Sequence, residues 1–144
     1  ADMTDWTFQA RIFLWEGGWN IFKDHPLTGC GFKCVDLIHS QYPDPSGYIA
    51  RFRGMHSNLF QLLVDTGIVG LAAWLSIWAT YLTVIYKTIQ SANENSKGFA
   101  MGAVAAVLGF LAGGVFETNF YDSEIVMLLY FIMGISLAQT NNKP

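Results

Sequence analysis

Five groups of residues in this chain have the types and spacing to do chemistry. The first is His56, just ahead of Asn58-Leu59-Phe60-Gln61, a helix-start pattern. Asn58 with Gln61 three residues on reads as a capping box, although Ser or Thr is the more usual cap. Such an end attracts anions, and an imidazole placed there suits the acceptance of a proton. The second is Arg11, whose planar fork can hold phosphate oxygens bidentately or simply snorkel at a membrane surface. The third is Arg51 with Arg53, which share one side if residues 48–55 are extended. The fourth is Glu117 with Asp122, able to pair with Arg11, accept a proton, or remain solvated acids at a membrane edge. The fifth is His25-x4-Cys30-x3-Cys34-x4-His39, four good zinc ligands at a spacing unlike that of the common zinc modules. A Cys30–Cys34 disulfide would lie near the upper Cα limit for bridging at i,i+4, so free, partly buried thiols are the default expectation. Gly29-Cys30-Gly31 is only a GxG, too weak for a phosphate loop.

The elements that must position these residues are largely apolar. Hydrophobic residues make up 52% of the 144 and charged ones only 13%, a membrane composition in one domain. The net charge of -3, with eight dispersed Lys and Arg, argues against nucleic acid as a partner. The expected fold is all-α: a polytopic set of about three transmembrane helices at 67–86, 99–116 and 125–138, with residues 1–66 forming an extracytoplasmic helical loop. Lys87, Lys97 and Lys143 flank one end of these spans; Asp65, Glu117, Asp122 and Glu124 flank the other. That asymmetry places 87–98 and the C-terminus in the cytoplasm, and His56 outside. The opening Ala1-Asp2-Met3-Thr4-Asp5-Trp6 has neither a basic start nor an apolar run, so upstream helices of a longer chain are expected.

Along the chain, residues 6–22 read as an interfacial helix with Trp6, Phe13, Trp15, Trp19 and Phe22 on its surface, weakened at Gly17-Gly18. A turn at 25–31 ends it, residues 34–41 suit a short helix, and Tyr42-Pro43-Asp44-Pro45-Ser46-Gly47 reads as a loop. The helix after His56 is expected to run straight into the first span. The second span carries Gly98, Gly102, Ala105, Ala106, Gly109 and Gly113 at helical spacing, a stripe suited to close helix packing.

The order of these features resembles the C-terminal part of the O-antigen ligase and polymerase family of bacterial inner-membrane glycosyltransferases. The matching pieces are Arg11 followed by Trp15; Phe22-Lys23-Asp24-His25-Pro26-Leu27-Thr28-Gly29-Cys30-Gly31; His56 to Gly70; and Glu117-Thr118-Asn119-Phe120-Tyr121-Asp122. Ser57 stands where that family commonly has Asn, and Asp65 where Glu is frequent. The resemblance implies a multi-pass protein of the inner membrane with its active loop on the periplasmic side. It implies a donor glycan on undecaprenyl or another polyprenyl diphosphate, an acceptor hydroxyl on lipid A-core or another glycan, and no metal or other cofactor. It makes Arg11 and His56 the catalytic candidates. Arg51, Arg53, Glu117 and Asp122 are the substrate-binding ones. A repeat-unit polymerase is an alternative of the same class. A non-catalytic membrane protein with a zinc-clasped outer loop is one of a different class.

Overall fold

The computed structural model describes residues 6–90 and 92–141; Lys143, one of the flanking lysines, lies outside them. The described residues form six α-helices and no strand: α1 Trp6–Asp24, α2 Val35–Ile38, α3 Tyr48–Phe52, α4 Asn58–Ile89, α5 Glu94–Gly113 and α6 Ser123–Asn141. Single 3-10 turns occupy His39–Gln41 and Asn119–Tyr121. The chain divides into two compact units, one of residues 6–73 with 114–118, the other of residues 74–113 with the described part of 119–144.

In the first unit α1 buries Ala10, Leu14, Gly17, Gly18 and Ile21, one face at helical spacing. They join Cys34, Val35, Ile49, Met55 and Val64 in the core. The glycine pair that weakens α1 by propensity has a packing reason. A Cβ at Gly17 would collide with the Ile49 side chain, and one at Gly18 with Met55. Trp6, Phe13 and Trp19 remain on the surface.

The expected straight run from the His56 block into the first span does not occur. Helix α4 breaks at Gly67, whose φ of 64° and ψ of −167° belong to a region that only glycine occupies readily. A break strands carbonyls on one side and amides on the other. The turn after α1 satisfies both. Cys30 and Gly31 donate their N–H groups to the Val64 and Asp65 carbonyls (2.9 and 3.0 Å), and the Pro26 and Leu27 carbonyls accept from Ile68 and Val69 (2.9 and 3.2 Å). The two backbones meet glycine against glycine: a Cβ on Gly29 would strike the Asp65–Thr66 peptide, and one on Gly67 the Leu27 carbonyl.

The condition that would put Arg51 and Arg53 on one side of an extended segment is not met, and one further expectation is corrected. Residues 48–52 are helical, with Gly47 and Arg53 in left-handed conformations (φ 71° and 52°) at the two ends of α3. Cys30 and Cys34 form a disulfide across a Cα separation of 5.7 Å rather than remaining free thiols. Among the described residues no group of three or more His, Cys, Asp or Glu side chains is arranged to hold a metal ion.

The second unit packs Trp78, Tyr81, Ile85, Ala100, Val107, Phe110, Leu129 and Met133 together. Helices α4 and α5 are long and apolar enough to cross a membrane, and only 17% and 22% of their most apolar windows are buried. A soluble core helix would be mostly covered. The apolar part of α6 is shorter, Ser123–Gln139. On α5 the buried face is Ala100, Ala103, Val107 and Phe110; a Cβ at Gly98, Gly102 or Gly109 would meet nothing within 4 Å. The stripe is therefore open at those three glycines, while Ala106 packs against the core of the second unit and Gly113 faces Asn119.

Candidate functional site

His56 sits on an irregular backbone just ahead of α4, with φ of 46°. Residues on both sides of it are tied down. The Met55 carbonyl accepts from the Trp15 indole Nε1–H at 2.9 Å, and the Ser57 amide donates to Thr118 Oγ1 at 3.1 Å. One residue on, the Asn58 amide donates to the Gly114 carbonyl at 2.7 Å. A non-glycine residue in the left-handed region is strained and persists where its surroundings over-determine it. The amides of Ser57 and Asn58 are thereby satisfied within the chain.

The cap differs from the expected box. The Gln61 amide bonds to the Ser57 carbonyl at 2.9 Å, so Ser57 is the residue at the helix boundary. The Gln61 side chain reaches back to the Met55 amide instead (2.9 Å).

The imidazole Nδ1 lies 3.1 Å from Glu117 Oε1. A carboxylate accepts only, so Nδ1 carries a proton, and in the neutral imidazole Nε2 is then the acceptor. The Glu117 carboxylate also takes the Thr118 N–H at 3.3 Å. Both partners remain reachable from solvent, with side chains 37% and 58% exposed. The Phe52 ring meets the imidazole edge-on at 5.5 Å between centroids.

Arg11 is bound to the same short segment. Its Nε–H donates to the Phe116 carbonyl at 3.1 Å and its Nη1 to the Thr7 carbonyl at 3.3 Å. Trp15, one turn along α1, stacks on Phe60 at 4.9 Å with the rings 5° apart. It also meets Phe116 at 6.4 Å. Residues 116 and 117 thus tie Arg11 and His56 to one place, although 45 positions separate them in sequence. Glu117 pairs with His56 and not with Arg11.

The remaining candidates fall differently. Arg51 lies over the Phe52 ring at 5.3 Å, next to the ring that touches His56. The Arg53 Nε–H donates to the Ala50 carbonyl at 3.3 Å. Among the described residues no carboxylate pairs with Arg11, Arg51 or Arg53. Asp122 belongs to the second unit and caps α6: its carboxylate accepts the Glu124 N–H at 3.2 Å and its carbonyl the Val126 N–H at 3.0 Å.

Sequence reasoning missed Thr118, the tie between Trp15 and Met55, and the inward role of Gln61. Gln61 and Asp65 did carry a signal, as two polar residues four apart on a face shared with Leu62 and Asn58; both are 2% exposed.

Residues 1–75 match the O-antigen ligase family, just over half of the chain. The matched stretch contains Arg11, the glycine turn, Arg51, Arg53 and His56, and stops short of Glu117 and Asp122. No curated protein matches the chain significantly.

Proposed function

The chain belongs to the O-antigen ligase family, and on that premise we propose that it transfers a glycan from a polyprenyl-diphosphate carrier to a sugar hydroxyl, as a ligase does. The family is one of membrane glycosyltransferases of the ligase and polymerase type. The observation that carries the reading is the His56–Glu117 pair, accessible and tied through residues 116–117 to Arg11.

The acceptor hydroxyl gives its proton to Nε2 of His56 while its oxygen attacks the anomeric carbon. The bond from that carbon to the diphosphate oxygen breaks, and the electron pair leaves on the diphosphate. Direct displacement inverts the anomeric centre. Glu117 steadies the imidazolium that forms, as an orienting carboxylate does in other histidine bases. Arg11 offers the leaving diphosphate the guanidinium N–H groups that the chain does not use. Arg51 and Arg53 add positive charge for the donor beside the Phe52 ring. In this reading the protein lies in the bacterial inner membrane, α6 is a third span, and the site faces the periplasm with lipid A-core or another glycan as acceptor.

The test is His56→Ala in the full chain, using an undecaprenyl-diphosphate-linked glycan as donor. Loss of a general base slows turnover by roughly 10²–10⁴-fold while donor binding changes little. Unchanged turnover and unchanged donor binding would remove the central residue of the reading.

A further inference from the structure

Met55 is fully buried, and both its backbone polar groups are held by side chains. Trp15 holds the carbonyl. Gln61 Oε1 holds the amide at 2.9 Å, and Gln61 Nε2 donates to Asp65 Oδ1 at 3.1 Å. The orientation of this amide follows from chemistry. Asp65 presents an acceptor and the Met55 N–H is a donor, so only one of the two flips satisfies both. Asp65 is itself fixed, since its Oδ2 accepts the Lys33 N–H at 3.3 Å and its carbonyl the Gly31 N–H at 3.0 Å. A chain of hydrogen bonds thus runs from the glycine turn through Asp65 and Gln61 to the residue that precedes His56.

We propose that Gln61 is a positioning residue for the transfer reaction: locked by Asp65, it clamps Met55 against Trp15 and so holds His56 in the left-handed backbone that sets its ring against Glu117. The Met55 carbonyl belongs to the peptide that enters His56, so its direction helps to set the His56 φ. Gln61 and Asp65 are both 2% exposed, so neither is open to a substrate. The effect argued for Gln61 runs through the Met55 backbone, and it rests on the proposed role of His56 as the base.

The experiment compares Gln61→Leu, Gln61→Glu and the double variant Gln61→Glu with Asp65→Asn in the full chain. The double variant exchanges the two polar groups while keeping the net charge and the two bonds of Gln61: the carboxylate at 61 accepts from Met55 and from the amide at 65. Turnover is measured with an undecaprenyl-diphosphate-linked glycan, donor binding with undecaprenyl diphosphate alone, and folding by thermal unfolding in detergent. Misplacing a reacting group by about 1 Å costs up to roughly 100-fold, so Gln61→Leu should lower turnover by about 10- to 100-fold with donor binding unchanged. Gln61→Glu should do the same, because its carboxylate faces that of Asp65, and the double variant should recover most of the activity. A folded Gln61→Leu with normal turnover, or with a loss confined to donor binding, would overturn the proposal. If Gln61→Leu does not fold, the exchange decides: a double variant no better than Gln61→Glu overturns it. His56→Ala is run alongside. Full activity there would bring down the underlying reading and this proposal with it, whereas an inactive His56→Ala beside an unaffected Gln61→Leu sinks only the positioning role.

Discussion

The two units of this chain bury very different chemistry. Of the buried polar side chains among the described residues, Ser57, Asn58, Gln61 and Asp65 lie within nine positions of one another in the first unit. The second unit buries Ser136, bonded to the Tyr81 hydroxyl at 2.9 Å, and the Trp78 indole N–H inside a cluster of aromatic and aliphatic side chains. A buried polar group is costly unless it is satisfied, and a satisfied network specifies one geometry. The first unit accepts that cost beside the left-handed backbone of His56. The core of the second is mostly aromatic and aliphatic. Their glycines differ in the same way. In the first unit Gly29 and Gly67 make room for backbone against backbone, while on α5 a Cβ at Gly98, Gly102 or Gly109 would meet nothing within 4 Å.

The sharpest way to break this comparison is one substitution made in both places. Gly67→Ala forces a side chain into a glycine-only conformation and into the Leu27 carbonyl. Strain of that kind costs of order 1–3 kcal/mol before any overlap is counted, so the first unit should lose most of its stability in a thermal or denaturant melt. Near wild-type stability of Gly67→Ala would show that the turn does not depend on the break.

Arg11→Lys is the next largest effect. The charge is kept, but the Nε–H bond to Phe116 and the planar fork are lost. Hydrogen bonds to charged groups are worth about 1.5–3 kcal/mol, so transfer should fall roughly 10- to 100-fold. Near wild-type transfer would reduce Arg11 to a diffuse charge or an anchor.

Gly102→Ala is the counterpart of Gly67→Ala and should have the opposite sign. It sits inside α5 with open space where its Cβ would be. Alanine should stabilise the helix by about 0.5–1 kcal/mol. Clear destabilisation would mean that another helix closes on this face.

The smallest effect concerns pH. Burial raises the Asp44 pKa, but hydrogen bonds from the Ala50 amide, the Ser46 hydroxyl and the amides of Gly47 and Ile49 outweigh it and leave the carboxyl below its ordinary 3.8. A depressed folded-state pKa gives stability that is present above the unfolded value and lost as pH falls through the folded one. The loop that carries α3 and Phe52 should therefore loosen only below the usual carboxylate range, and Asp44→Asn should remove that dependence. Hydrogen exchange at residues 48–52 across acidic pH would read it, and an identical profile in the variant would exclude Asp44 as the cause.

The sequence alone determined the all-helical class, the apolar α4 and α5, the extent of α1 and the family. Each follows from something local: periodicity, an uncharged run of sufficient length, or residues at a motif's spacing. Tertiary structure decided the rest. The break at Gly67 depends on a turn 40 residues earlier that supplies partners for its stranded backbone groups. The short helix at 48–52 depends on two left-handed residues at its ends. The pairing of Glu117 with His56, and not with Arg11, depends on residues 114–118 returning to the start of α4. Chemical type shows that a carboxylate wants a partner. Which partner it finds is set by long-range backbone contacts, which leave no local trace in the sequence.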